Sequence, residues 1–158
     1  MKIFISHQRA DSDLAMEIAG RLRSPHGIDV YLDVYDPDAT TTGDALGDHI
    51  RTQLGLCQQL LAVVSARTAA SWWVPWEIGI ATEKERPIAT YSRESTALPV
   101  YLKKWPYLSS IAALDKYAAV VKKTSETTEL RKAYLAEANV RKDIVGDHYR
   151  RLRAALGQ

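Results

Sequence analysis

Leu60 to Ala81 reads LLAVVSARTAASWWVPWEIGIA, and its reading decides the fold. With Gln59 it opens on the apolar run QLLAVV, short for a helix and suited to a pleated surface, so 59–64 reads as a buried central strand. Three of the chain's four tryptophans follow at 72, 73 and 76, beside Pro75 and Glu77. Pro75 suits the first position of a helix, which predicts a helix over 76–84 with Val74 as its cap and Glu77 third inside it. A glutamate at that position satisfies orphan amides and complements the helix dipole. The indoles then anchor the helix on the sheet. The same residues also describe a ligand site, a carboxylate framed by aromatic faces at a strand-to-helix junction. Both readings stand on the residues of this stretch alone.

Working outward, residues 2–6 (KIFIS) and 28–32 (IDVYL) are further strands, and PIATY at 87–91 is a fourth. LPVYL at 98–102 is expected to be a short fifth. Leu14, Ile18 and Leu22 share one face of a helix over 11–23, where Asp11, Ser12 and Asp13 supply capping chemistry. Leu46, Ile50 and Leu54 repeat the spacing. The polar loop DVYDPDATTTGD at 33–44 precedes them. Strands alternating with helices imply parallel pairing, hence an α/β fold of three layers with about five strands. In the flavodoxin-like order 2-1-3-4-5, ligands sit beyond the carboxyl ends of strands one and three. Ser6 to Arg9, Ser65 to Glu77 and the 33–44 loop would converge there. From 107 onward the pattern is mostly helical. Thr124 to Thr128 is expected to break it, Gly146 to interrupt it, and Tyr149, Leu152 and Leu156 to form one stripe. The whole of 1–158 is expected to be one domain.

An apolar share of 46% and a charged share of 25% are those of an ordinary globular chain. No apolar run reaches the roughly 20 residues of a bilayer span, and KIFIS opens the chain without a secretory pattern. Cys57 is the single cysteine, so no internal disulfide forms. A cytoplasmic location, away from membranes, is expected. Residues 1–60 hold five Lys/Arg and nine Asp/Glu, the remainder sixteen and ten. The basic excess lies mostly after residue 100 and is read as a solvated helical face; a nucleic-acid partner is the weaker reading.

Standard phosphate-loop and dinucleotide fingerprints are absent. His7, His26, His49 and His148 lack metal-ligand spacing with each other or with Cys57, so no metal is expected. Cys57 precedes an apolar strand and reads as a packed residue. That leaves Glu77. A carboxylate near a ribose stabilises the oxocarbenium-like transition state in which a glycosidic bond to a leaving group such as nicotinamide breaks. Indoles supply stacking and cation–π contacts to the ring. Trp73 and Glu77 are four apart and face one crevice if the helix begins early enough. Trp72 and Trp76 are read as packing residues.

These segments, in this order, resemble the TIR (Toll/interleukin-1 receptor) domains of bacteria. KIFISH is similar to their first strand and turn, GIDVYLD with 33–44 to the second strand and BB loop. LLAVVSARTAASWWVPWEIGIA is similar to the third strand and helix αC, with WxxxE as Trp73 and Glu77. The resemblance covers about 2–105, and 107–158 is placed in the same domain. It implies an enzyme that cleaves NAD as a substrate, with no separate cofactor, to linear, cyclic or conjugated ADP-ribose. Glu77 would be the catalytic residue. Trp73, Ser6, His7 and Arg9 would line the site, with Asp33 and Gly43 bounding the loop that closes over it. His7 stands where the family often has an aromatic residue and Gln8 where it often has a basic one. The resemblance further implies self-association through other TIR domains, and a role in Thoeris-type antiphage defence with a separate effector. The alternative it leaves is a non-catalytic adaptor that binds other TIR domains.

Overall fold

The computed structural model describes residues 1–32, 44–70, 72–93, 99–130 and 138–158. The expected loop at 33–44, all but its last residue, lies outside them, as do Asp33, Gly43 and Ser71. Five strands, β1 (Lys2–Ser6), β2 (Asp29–Leu32), β3 (Gln59–Val63), β4 (Ile88–Tyr91) and β5 (Tyr107–Leu108), form one parallel sheet in the order β2-β1-β3-β4-β5. The helices are α1 (Ser12–Arg23), α2 (Asp44–Leu56), α3 (Trp73–Glu83), α4 (Ile111–Leu130) and α5 (Ala138–Leu156). Period-two alternation divides β1, β3 and β4 between two cores. Ile3, Ile5, Leu61, Val63, Ala89 and Tyr91 pack under α1, α4 and α5. Phe4, Leu60, Ala62, Val64 and Ile88 pack under α2 and α3. The α/β three-layer expectation therefore holds, with both sheet faces covered.

Three expectations are corrected. LPVYL is not the fifth strand: Val100–Lys104 is a 3-10 turn, and the edge strand is the two-residue Tyr107–Leu108 beside β4. Pro99 precedes that turn and cannot donate to a ladder, which disfavours a strand there. Thr124 to Thr128 does not break the chain either, and α4 runs straight through it. Thr124, Thr127 and Thr128 each donate a hydroxyl to the carbonyl four residues earlier, so the groups that favour turns are satisfied inside the helix. Gly146 likewise lies within an unbroken α5. Among the described residues no helix is long and apolar enough to cross a membrane.

Candidate active site

β1 and β3 are neighbours at the centre of the sheet, with Ser6 in register with Ala62. Both strands end at the same edge, and the segments that leave them carry the polar groups. α3 starts at Trp73, earlier than the expected 76, with Trp72 at the N-cap and no side-chain capping bond. Pro75 is thus third in the helix, still in the first turn, where its missing N–H costs nothing. That shift moves Glu77 to the fifth position, beyond capping range. Its side chain is fully buried, and the Ser6 hydroxyl donates to Glu77 Oε2 across 71 residues of sequence. The cap reading is therefore corrected: Glu77 is a buried carboxylate tied to the end of β1. Burying an ionised carboxylate costs several kcal/mol before its hydrogen bonds are counted, so folding alone does not favour an acid here.

Trp73 lies one turn before Glu77 on the same helix and is buried at 8% exposure in the core that contains Phe4, Ala62 and Val64. The early helix start is what brings the two onto one face. The Trp73 ring stands 5.1 Å from Trp76, tilted at 40°, and 5.1 Å from Trp72, edge-on at 85°. Trp76 is half-buried over Gly47 of α2, as a packing residue should be. Trp72 is 69% exposed, which corrects its reading as packing. It sits ahead of the first helical turn, past the carboxyl edge, where no strand remains to cover it.

Ser6 and His7 are buried. The hydroxyl of Ser12 donates to the Arg9 carbonyl at 2.8 Å, so its oxygen accepts from His7 Nε2–H at 3.2 Å. His7 is thereby turned to the head of α1. Arg9 is exposed, in the 3-10 turn Arg9–Asp11 at the same edge. Asp33 and Gly43 lie outside the described residues.

Asp11 was expected to cap α1 but makes no capping bond. It is buried at 7% exposure and accepts from Gln8 Nε2 at 3.1 Å and Ser65 Oγ at 3.0 Å. Ser65 also receives the Arg67 N–H at 3.2 Å. One carboxylate thus ties the segment after β1 to the segment after β3, the two that carry Ser6 and Glu77. Periodicity marks Asp11 only as a helix start, so nothing local distinguishes a cap from a clamp. Asp11→Ala is expected to lower unfolding free energy by about 1–3 kcal/mol, with two donors left short of an acceptor. Urea titration measures it, and a loss below about 0.5 kcal/mol, the range of an ordinary surface substitution, counts against the clamp.

A parallel sheet in this order, with polar groups gathered at the β1/β3 switch point, defines a flavodoxin-like α/β domain. The family model described as TIR domain matches residues 3–143, and the chain belongs to that family. The match runs beyond 2–105 and into α5. No curated protein matches the chain. TIR domains include NAD-cleaving enzymes, and they commonly associate with one another.

Proposed function

We propose that this chain is an NAD-consuming TIR enzyme that cleaves the bond between nicotinamide and ribose. The observation that carries the reading is Glu77: a fully buried carboxylate, held by Ser6 at the switch point and one helical turn from Trp73. As the C1′–N bond breaks, both its electrons pass to the pyridinium nitrogen and neutralise it. The ribose is left as an oxocarbenium ion. A fixed carboxylate stabilises that charge, and most strongly where water is excluded. Water then adds to C1′ and loses a proton to give ADP-ribose, or a nucleophile of the nucleotide itself closes a ring. The Ser6 hydroxyl positions Glu77; Trp73, His7 and Arg9, with Asp33 and Gly43, complete the substrate contacts. The product serves as a signal to a separate effector in bacterial antiphage defence, inside the cytoplasm. Self-association with other TIR domains completes the site.

Exposure of Trp72 favours a second reading, an adaptor that docks onto other TIR domains without chemistry. Incubating concentrated protein with NAD and resolving products by chromatography and mass spectrometry separates the two. Release of nicotinamide with a matching ADP-ribose product is expected. Stable TIR–TIR association without turnover, at every concentration tried, would establish the adaptor instead.

A further inference from the structure

The amino edge of the sheet, opposite Glu77, holds a cavity of about 410 Å³ between the end of α3, the start of β4, the 3-10 turn at Val100–Lys104 and α5. Arg86, Lys104, Lys142 and Arg153 line it, against one carboxylate, Glu85. Elsewhere in the described residues, Arg21, Arg93, Arg150 and Arg151 each pair with a carboxylate. None of the four cavity cations does so among the described residues. Arg86 and Arg153 spend a bond each on the Gly55 and Lys104 carbonyls.

The cavity also has donors without acceptors. Arg86 Nε is buried and makes no hydrogen bond among the described residues. The Tyr149 oxygen accepts from the Ile88 N–H at 3.0 Å. Its own O–H proton has no acceptor among the described residues. Buried donors without acceptors are costly, and cations sharing a concave wall repel one another. Burial, and then the like charge of Arg141, push the Arg86 guanidinium below its ordinary value. Each of these features lacks the same thing, an acceptor that is negatively charged.

We propose that this cavity binds a phosphate-bearing anion. Phosphate offers several strong acceptor oxygens to guanidinium, ammonium and phenol donors together. The cavity exceeds one phosphate, and the aromatic side chains Trp105 and Tyr149 line the rest, which suits a phosphoester with a flat substituent. The site is independent of what Glu77 does, since the two lie at opposite edges of the sheet.

Isothermal titration of the full chain with pyrophosphate tests it, with ADP-ribose as a second arm and citrate as a non-phosphate polyanion. Saturable one-to-one binding of pyrophosphate that weakens with salt is expected. The double variant Lys104→Glu, Lys142→Glu changes exposed side chains and should weaken binding roughly tenfold or more. Gly146 offers a neutral check: it lines the cavity, and a Cβ built on it meets nothing within 4 Å. Gly146→Leu should therefore fill the space and weaken binding without altering charge. Equal affinity for the two phosphates means that the phosphate groups alone are recognised; tighter ADP-ribose binding means that the aromatic wall contributes. No pyrophosphate binding, citrate binding of equal strength, or binding unchanged in both variants would overturn the proposal.

Discussion

Replacing Glu77 with glutamine is expected to reduce nicotinamide release from NAD by about a hundredfold or more while the protein stays folded. The magnitude is that of losing a preorganised charge aimed at a developing cation. Glutamine has the same shape and still accepts from Ser6, but it carries no charge. The stability readout separates this role from a structural one. Glu77 is fully buried, so its ionised form is a burden on folding. Glu77→Gln is therefore expected to unfold at the same urea concentration as the wild type or a higher one. Activity must be read in a concentrated, self-associated sample for both proteins. A variant that keeps more than about a tenth of the turnover would sink the catalytic role, since general electrostatic losses exceed that. Lost turnover with a large loss of stability would point to packing instead.

The second large effect concerns acid stability and sits at the α4–α5 contact. His148 on α5 is 1% exposed, and its Nδ1 lies 2.9 Å from Thr124 Oγ1 on α4. Thr124 already donates its hydroxyl to the Val120 carbonyl, so Nδ1 carries the proton and Nε2 is the bare, buried nitrogen. Protonation would place a charge inside the core. Burial, only partly opposed by Asp147, pushes the imidazole down to about 4. The unfolded chain takes up this proton near pH 6.5, so its share of stability is intact above that pH. It is lost as pH falls from about 6.5 towards 4, by roughly 3 kcal/mol, and saturates once both states are protonated. Urea midpoints at pH 7 and pH 4.5 check this against His148→Gln, which donates to Thr124 and does not titrate. The wild type should lose more stability than the variant across that window. Parallel losses in the two proteins would remove His148 as the cause.

Much of this molecule is legible locally. KIFIS, QLLAVV and PIATY announce buried strands because parallel strands covered on both faces are continuously apolar. Leu14, Ile18 and Leu22 announce α1 because a helix buries one stripe. The four-residue spacing of Trp73 and Glu77 is likewise a property of the sequence alone. The two-residue β5 carries no period, and a threonine run has the same composition in a turn as in α4, so those elements were misplaced.

For the site, local rules allow both a capping glutamate and a functional one, and nothing within the stretch chooses between them. Pro75 fits the first helical position, but any place in the first turn tolerates it. The partnership of Glu77 with Ser6 and the use of Asp11 as a clamp both join residues more than fifty positions apart. The sequence by itself determined which segments are strands and helices, that they wind as a parallel α/β sheet, and that an acid stands one helical turn from a tryptophan. Only the tertiary structure decided that this acid is buried against β1, that Trp72 faces outward, and that cations without a carboxylate partner among the described residues gather at the opposite edge. The physical reason is range. Backbone preference and apolar periodicity act over a few neighbours, whereas burial and hydrogen-bond partnership exist only once distant segments meet.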